Sequence, residues 1–129
     1  MIVGAGYVGR ALARDPGLRE NGFPPCGLFD ADPEVIGTRV GRLVVRPMSD
    51  LGRVVRRRSV DVGIVAVPAA AAQDVADQLI TAGIRGLLNL SYAYIRAPAP
   101  VCVTDARILS SLQELSYGIR MRRGGWPRH

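Results

Sequence analysis

The residues of this chain best suited to chemistry are three closely spaced glycines and the aspartate that ends the next apolar run. Residues 2–9 read Ile-Val-Gly-Ala-Gly-Tyr-Val-Gly, so the pattern Gly-x-Gly-x-x-Gly directly follows a short strand-like segment. In this pattern the first glycine, Gly4, permits a tight turn. The second, Gly6, lets the backbone approach a pyrophosphate, and the third, Gly9, allows close helix–strand packing. The spacing therefore predicts a dinucleotide-binding turn.

Two neighbouring features support this interpretation. A helical pattern (Arg10-Ala11-Leu12-Ala13) follows the turn, and the N-terminus of a helix offers free N–H groups and a positive dipole end to phosphates. Asp30 ends the next strand-like run, where a carboxylate accepts hydrogen bonds from the adenine ribose hydroxyls. Since a carboxylate would repel a 2′-phosphate, Asp30 favours NAD(H) over NADP(H). The alternative is a Rossmann-type fold whose glycine turn holds no ligand.

Strand-like and helical segments alternate along the rest of the chain. The predicted strands are 2–3, 26–29, 43–45, 62–67, 87–90 and 101–103, and the predicted helices are 9–21, 50–58, 69–82 and 106–118. We expect Asp15-Pro16-Gly17 to break the first helix, Ser49 or Asp50 to cap the second, and Gly83 to end the third. The alternation predicts an α/β fold, a three-layer doubly wound Rossmann-type parallel sheet with a C-terminal helix.

This pattern also predicts the domain organisation and the place of the site. We expect a Rossmann domain over residues 1–105, a last helix over 106–118 and a basic, disordered tail over 119–129. The glycine turn, Asp30, Ala66-Val67-Pro68 and Asn89 all fall at strand ends, where open parallel sheets bind ligands. Two alternatives stay open at these positions: Pro68 only ends a strand, and Asn89 only stabilises a local turn.

The composition argues against catalysis. All 17 basic residues are arginine, so a Tyr-x-x-x-Lys relay and a Schiff base are excluded. The one histidine is the C-terminal residue, His129, which excludes a histidine-based hydride-transfer acid and a Cys-His or Ser-His dyad. The sequence has no cluster of metal ligands. It therefore predicts a sensor or binding module, not an enzyme.

Charge and hydropathy bound the partners. The net charge is +6, and the arginines cluster near the C-terminus and at residues 53–58. The second cluster is typical of a solvated helix face, with a phosphate or nucleic-acid contact as the alternative. Cys26 and Cys102 lie in apolar runs and are interpreted as small core residues. Since this interpretation is favoured over a disulfide or a redox pair, we expect a cytoplasmic protein. No segment has the length and apolarity of a membrane span.

A set of ordered matches resembles the NAD(H)-binding domain of the Rex family of bacterial redox-sensing transcriptional repressors. The matching segments, spread over about residues 2–118, are Gly4-x-Gly6-x-x-Gly9-x-Ala11-Leu12, Asn21-Gly22-Phe23, Phe29-Asp30-x-Asp32-Pro33, Ile36-Gly37, Ala66-Val67-Pro68-Ala69, Ala72-Gln73, Val75-Ala76-Asp77, Ala82-Gly83-Ile84, Leu88-Asn89 and Leu112-Gln113-x-Leu115-Ser116-Tyr117.

The resemblance implies NAD(H) as the cofactor and a homodimer in which the last helix, residues 106–118, swaps into the partner subunit. The cofactor-binding positions that we predict are Gly4, Ala5, Gly6, Tyr7, Val8, Gly9, Asp30, Asp32, Ala66, Val67, Pro68 and Asn89. No catalytic residue and no metal ligand is predicted.

The chain also departs from the family pattern. Rex repressors carry an N-terminal winged-helix domain, and here the first strand, residues 2–3, directly follows Met1. We therefore expect a truncated module, with operator DNA as a partner only where a winged-helix domain is present. Tyr7-Val8 replaces the family's Asn-Leu, and Ser91-Tyr92 replaces Ala-Pro. In Ala106-Arg107-Ile108 a base replaces an acid that couples the two domains in the family.

Two further functions remain open. The first is a CoA-binding domain of the ligase type, whose Rossmann core shares the glycine turn. Asp30 argues against it, because a carboxylate there would repel the 3′-phosphate of CoA. The second is a non-catalytic oxidoreductase fragment, which the missing proton donor disfavours.

Overall fold

A seven-stranded sheet organises the chain in a computed structural model, which describes residues 1–106 and 108–125. The strands are β1 (Ile2–Val3), β2 (Leu28–Asp30), β3 (Arg39–Val40), β4 (Leu43–Pro47), β5 (Val62–Val65), β6 (Gly86–Asn89) and β7 (Cys102–Asp105). The helices are α1 (Tyr7–Arg14), α2 (Pro16–Glu20), α3 (Leu51–Arg58), α4 (Ala69–Ala82) and α5 (Ile108–Gly125), and a 3-10 turn (Met48–Asp50) precedes α3.

The strand order is β3-β4-β2-β1-β5-β6-β7, with every neighbouring pair parallel except β3 and β4. The chain thus winds outward from β1 in one direction, then returns to β5 and winds outward in the other. The predicted doubly wound parallel sheet is confirmed. The antiparallel edge strand β3 was not predicted, because two residues before Gly41 are too short a run to show a strand periodicity.

Alternate residues of the central strands point into two separate cores. Val3, Phe29 and Val65 are at most 1% exposed and lie in the larger core with residues of α3 and α4. Ile2 and Leu28 point to the opposite face, where the smaller core includes residues of α1 and β4. Because β1 is buried on both sides, its short apolar sequence suffices to place the glycine turn that follows it.

Local sequence explains where the helices begin and end. Asp15 ends α1, and its carboxylate accepts a hydrogen bond from the Gly17 amide at 2.9 Å, which caps α2. The predicted break at Asp15-Pro16-Gly17 is thereby confirmed. Gly83 ends α4 with a φ of 111°, also as predicted. Asp50, one of the two predicted candidates, is the N-cap residue of α3, but its side chain makes no cap hydrogen bond and instead forms an ion pair with Arg53 at 3.1 Å.

The last helix is longer than the sequence analysis predicted. It runs to Gly125, where we expected an end near residue 118 and a disordered tail over residues 119–129. Residues 119–123 include no helix-breaking residue, so their propensity allows the helix to continue. Residues 126–129 and Arg107 lie outside the described residues. Across the described ranges, no helix is both long and apolar enough to span a bilayer.

The three glycines of the turn face different surroundings. Gly4 has a φ of 112°, and a Cβ there would collide with the Ala66 carbonyl group. A Cβ on Gly9 would collide with the carbonyl oxygen of Gly4. A Cβ on Gly6 would meet no atom within 4 Å. Gly4 and Gly9 are therefore required by packing, whereas Gly6 borders open space.

We expect Gly9→Ala to lower the free energy of unfolding by roughly 1–3 kcal/mol, the usual cost of forcing a methyl group into a packed site. Gly6→Ala is the matched control, and we expect it to leave the unfolding free energy nearly unchanged. Urea denaturation followed by circular dichroism measures both. Equal stability of the two variants would contradict the close packing of α1 against the turn.

Candidate nucleotide-binding site

A cleft of about 420 Å³ lies at the carboxyl ends of β1, β2 and β5, where the sheet changes its winding direction. Its lining residues are Val3, Gly4, Gly6, Asp30, Ala31, Met48, Ala66, Val67, Pro68, Ala71, Asp74, Val75 and Gln78. Six of the predicted cofactor-binding residues are therefore brought together, namely Gly4, Gly6, Asp30, Ala66, Val67 and Pro68. The position agrees with the rule that ligands of open parallel sheets bind at the switch point.

Asp30 connects the end of β2 to the glycine turn. Its Oδ2 accepts a hydrogen bond from the Ala5 amide at 2.7 Å, and its Oδ1 accepts one from the Asp32 amide at 2.8 Å. An ionised carboxylate can accept about four hydrogen bonds, so acceptor capacity remains for a ligand in the cleft. Asp30 therefore also orders the turn, a structural role that the sequence analysis did not predict.

The turn leads into α1 with its amide groups available. Gly6 is the N-cap and makes no side-chain cap, and the Arg10 amide donates to the Gly6 carbonyl at 3.0 Å. The amides of Tyr7, Val8 and Gly9 come before that donor in the first turn, where a helix has no partners of its own for them. Because Gly6 borders open space, an anionic group can approach this helix end closely.

The remaining residues predicted from the turn lie beside the cleft. Tyr7 is 96% exposed at the start of α1, and Val8 is 42% exposed. The Asp32 carboxylate accepts a hydrogen bond from the Glu34 amide at 2.9 Å and so stabilises the turn after β2. Ala5 is buried, and its amide is the group that Asp30 binds. Gly9 is buried where α1 crosses the turn.

Asn89 does not line the cleft. Its side chain is fully buried, and its Nδ2 donates to the Ala93 carbonyl and to Asp105 Oδ1, both at 2.9 Å. Its Oδ1 accepts hydrogen bonds from the Ser91 amide at 3.0 Å and from Ser91 Oγ at 2.6 Å. With these groups satisfied, the geometry favours the structural alternative for Asn89, which holds the loop after β6.

The sequence analysis missed several lining residues. Asp74, Val75 and Gln78 lie on one side of α4, with a spacing that a helix brings to one face. Met48 follows the end of β4, and β4 pairs with β2 so that Pro47 lies opposite Asp30. The strand order would have indicated Met48, but that order depends on pairings that lie far apart in the sequence. Among residues 1–106 and 108–125, no group of histidine, cysteine or acidic side chains has the arrangement of a metal site.

Comparison with known proteins identifies the family. The family described as CoA binding domain matches residues 1–93. The redox-sensing transcriptional repressor Rex of Carboxydothermus hydrogenoformans is 42% identical over 120 residues, which are 93% of this chain and 58% of that protein. The chain thus spans little more than half the length of this relative.

Solved structures of a Rex-family repressor, RSP, are similar to this chain as well. The crystal structure of RSP in complex with β-NADH matches with a TM-score of 0.87 and 29% identity, covering 96% of this chain and 59% of RSP. RSP in complex with β-NAD⁺ and operator DNA matches with a TM-score of 0.86 and the same 29% identity, covering 96% of this chain and 56% of RSP. These matches show that the chain belongs to the CoA-binding domain family and that it is similar, over at least 93% of its length, to Rex-family repressors.

Proposed function

We propose that this chain is the NAD(H)-binding, redox-sensing module of a Rex-like transcriptional repressor. The observation that carries the proposal is the Asp30 carboxylate, which lies in the same cleft as the open backbone at Gly6. The two groups suit the two ends of an adenosine diphosphate, its ribose and its pyrophosphate. The likeness to a Rex-family repressor that binds β-NADH and β-NAD⁺ supports the same ligand here.

In this proposal the pyrophosphate lies against Gly6 and the start of α1, and Asp30 accepts hydrogen bonds from the adenine ribose. The nicotinamide would then lie on the other side of the cleft from Asp30, toward Ala66 and Pro68. NAD⁺ and NADH differ in the charge and planarity of the nicotinamide ring. A protein can respond to their ratio only if two of its conformations bind the two forms with different affinities.

The role is regulatory and not catalytic in this proposal, and it places the protein in the cytoplasm. The supporting observation is that the sequence contains no lysine and has its only histidine at the C-terminal end. Operator DNA is a partner where a winged-helix domain is joined to this module. We assign no DNA contacts to the Rossmann domain itself.

CoA is the competing ligand, since the matching family is described as a CoA binding domain. Asp30 disfavours it, because the carboxylate would lie close to the 3′-phosphate of an adenosine bound in the same orientation. Titration with CoA beside NADH separates the two candidates. Tighter binding of CoA would replace the proposed function with the alternative.

We expect NADH to bind more tightly than NADPH, because the 2′-phosphate of NADPH would meet the negative charge of Asp30. Asp30→Ala should weaken NADH binding by roughly 1–3 kcal/mol, the value of a hydrogen bond to a charged acceptor. The variant should also reduce the preference for NADH over NADPH. Calorimetric titration measures both affinities. If Asp30 acts only by ordering the turn, both affinities fall equally and the preference stays unchanged.

A second prediction separates the ligand from the fold. Gly6→Ala adds a methyl group where the structure has open space, so we expect it to leave the fold intact while blocking the approach of the pyrophosphate. NADH affinity should fall at least about tenfold, equivalent to about 1.4 kcal/mol. Fluorescence titration measures the loss, and thermal unfolding without ligand is the control. Full NADH affinity in a stable Gly6→Ala variant would remove the pyrophosphate from this position.

We also propose a homodimer formed through α5. Several large apolar side chains of this helix are exposed to solvent: Leu112 at 57%, Leu115 at 62%, Tyr117 at 63%, Ile119 at 47% and Met121 at 59%. Leu112, Leu115 and Ile119 have the spacing of one helical stripe. A continuous apolar stripe of this kind marks a surface that a partner covers.

The sheet offers a matching surface. Ile64, Leu88 and Thr104 lie side by side on one face of β5, β6 and β7, and all three are at least partly exposed. Ile64 and Leu88 also line a groove of about 650 Å³, together with mainly apolar residues that include Val62 at 42% exposure and Phe23 at 64%. We propose that α5 of a second copy covers this face.

Light scattering tests the dimer. We expect the wild-type chain to have twice the monomer mass of 13.8 kDa at micromolar concentration. The double substitution Leu112→Asp and Leu115→Asp should produce a monomer, because two carboxylates would have to be buried in an apolar contact. Thr81→Asp, at an exposed position of α4, is the control for added charge and should stay dimeric. A monomeric wild-type chain would contradict the proposal.

A further inference from the structure

The loop after β6 is held at both of its ends. At its start, the buried Asn89 side chain binds Ser91 and Ala93. Six residues further on, Ile95 is 5% exposed and packs in the larger core with residues of α4. Between these points the loop presents Tyr92 at 59% exposure and Tyr94 at 78%. The loop thus keeps a defined backbone path while carrying two exposed aromatic rings.

Gln73 of α4 adds a connection of unusual geometry at the end of this loop. Its Oε1 accepts a hydrogen bond from the Arg96 amide at 2.9 Å, and its Nε2 donates to the Arg96 carbonyl at 2.9 Å. The side-chain amide therefore satisfies both backbone groups of one residue, as a neighbouring strand would. Nε2 also donates to Asp77 Oδ1 at 2.9 Å, within the same helix.

The hydrogen bonds between Gln73 and Arg96 join α4 to the loop after β6, near the nucleotide cleft. Gln73 lies on α4 between Ala71 and Asp74, both of which line the nucleotide cleft. The loop begins beside the other side of that cleft, because the Leu90 amide donates to the Val65 carbonyl at 2.9 Å, next to Ala66. Asp30 lies beyond β1, on the far side of the glycine turn. Residues 90–96 do not line the cleft themselves, and the loop lies toward the side of the cleft that is distant from Asp30.

We propose that Gln73 is a positioning residue that holds residues 90–96 against α4 and thereby shapes the half of the site that receives the nicotinamide riboside. The inference rests on the proposed function, in which Asp30 receives the adenosine half. Gln73 touches no ligand in this arrangement. It acts through the backbone of Arg96, so its removal affects the nicotinamide half and leaves the adenosine half unchanged.

The test compares two ligands on the full chain. NADH contains both halves, whereas ADP-ribose lacks the nicotinamide. We expect Gln73→Ala to weaken NADH binding about tenfold, in line with the loss of two hydrogen bonds, and to change ADP-ribose affinity less than about twofold. Gln73→Glu should behave in the same way, because a carboxylate cannot donate to the Arg96 carbonyl and would face the Asp77 carboxylate.

Asp77→Ala is the matched control. It removes one hydrogen bond of the same Gln73 amide but leaves both bonds to Arg96, so NADH affinity should stay close to the wild-type value. Retained ADP-ribose binding reports that each variant is folded. An equal effect of Gln73→Ala on both ligands, or no effect on either, would overturn the inference and leave Ile95 as the sufficient anchor. Failure of the wild-type chain to bind either ligand would instead refute the proposed function.

Discussion

The close approach of three backbone segments at Gly4 is the constraint on which the rest of the structure depends. A side chain at Gly4 would collide with Ala66, and one at Gly9 would collide with Gly4 itself, so β1, α1 and the end of β5 meet without side chains between them. This contact brings the start of α1 to the cleft at the carboxyl ends of β1 and β5. Gly6 has no such packing role. Its backbone borders open space, which would let a ligand in the cleft approach it closely.

Polar side chains around this contact mostly bind backbone groups of the chain. Asp30 binds the Ala5 amide, Asn89 binds Ser91 and Ala93, and Gln73 binds Arg96. Each connects a strand end or helix to a loop at the carboxyl edge of the sheet. Because leaving the buried Asn89 side chain unpaired would cost about 1–3 kcal/mol, its hydrogen bonds restrict the loop after β6 to one arrangement. The chain's own side chains thereby connect the loops at the carboxyl edge of the sheet.

The two faces of the sheet are unequal in the described part of the chain. One is covered by α3 and α4 with residues such as Leu79 and Val75 fully or nearly buried, while the other leaves Ile64 and Leu88 partly exposed beyond α1. The apolar stripe of α5 is exposed as well. The sheet face and the α5 stripe are thus two exposed apolar surfaces within one chain. They are the physical reason to consider a second copy, since removal of each surface from water would be favourable.

Local patterns in the sequence determined the element types, the parallel winding and the glycine turn with Asp30. The first two follow from the periodicity of apolar residues. The turn follows from Gly4, which permits a positive φ angle, and from the position of an acid at a strand end. The predicted and observed bounds of α4, Ala69–Ala82, are identical because Pro68 and Gly83 fix its two ends. Tertiary structure alone decided the roles of Asn89, Met48 and Gln78. Whether a polar residue at a strand end meets a ligand or its own loop depends on which groups pack beside it. Those neighbours come from strands and helices distant in sequence, so a local sequence pattern cannot predict them.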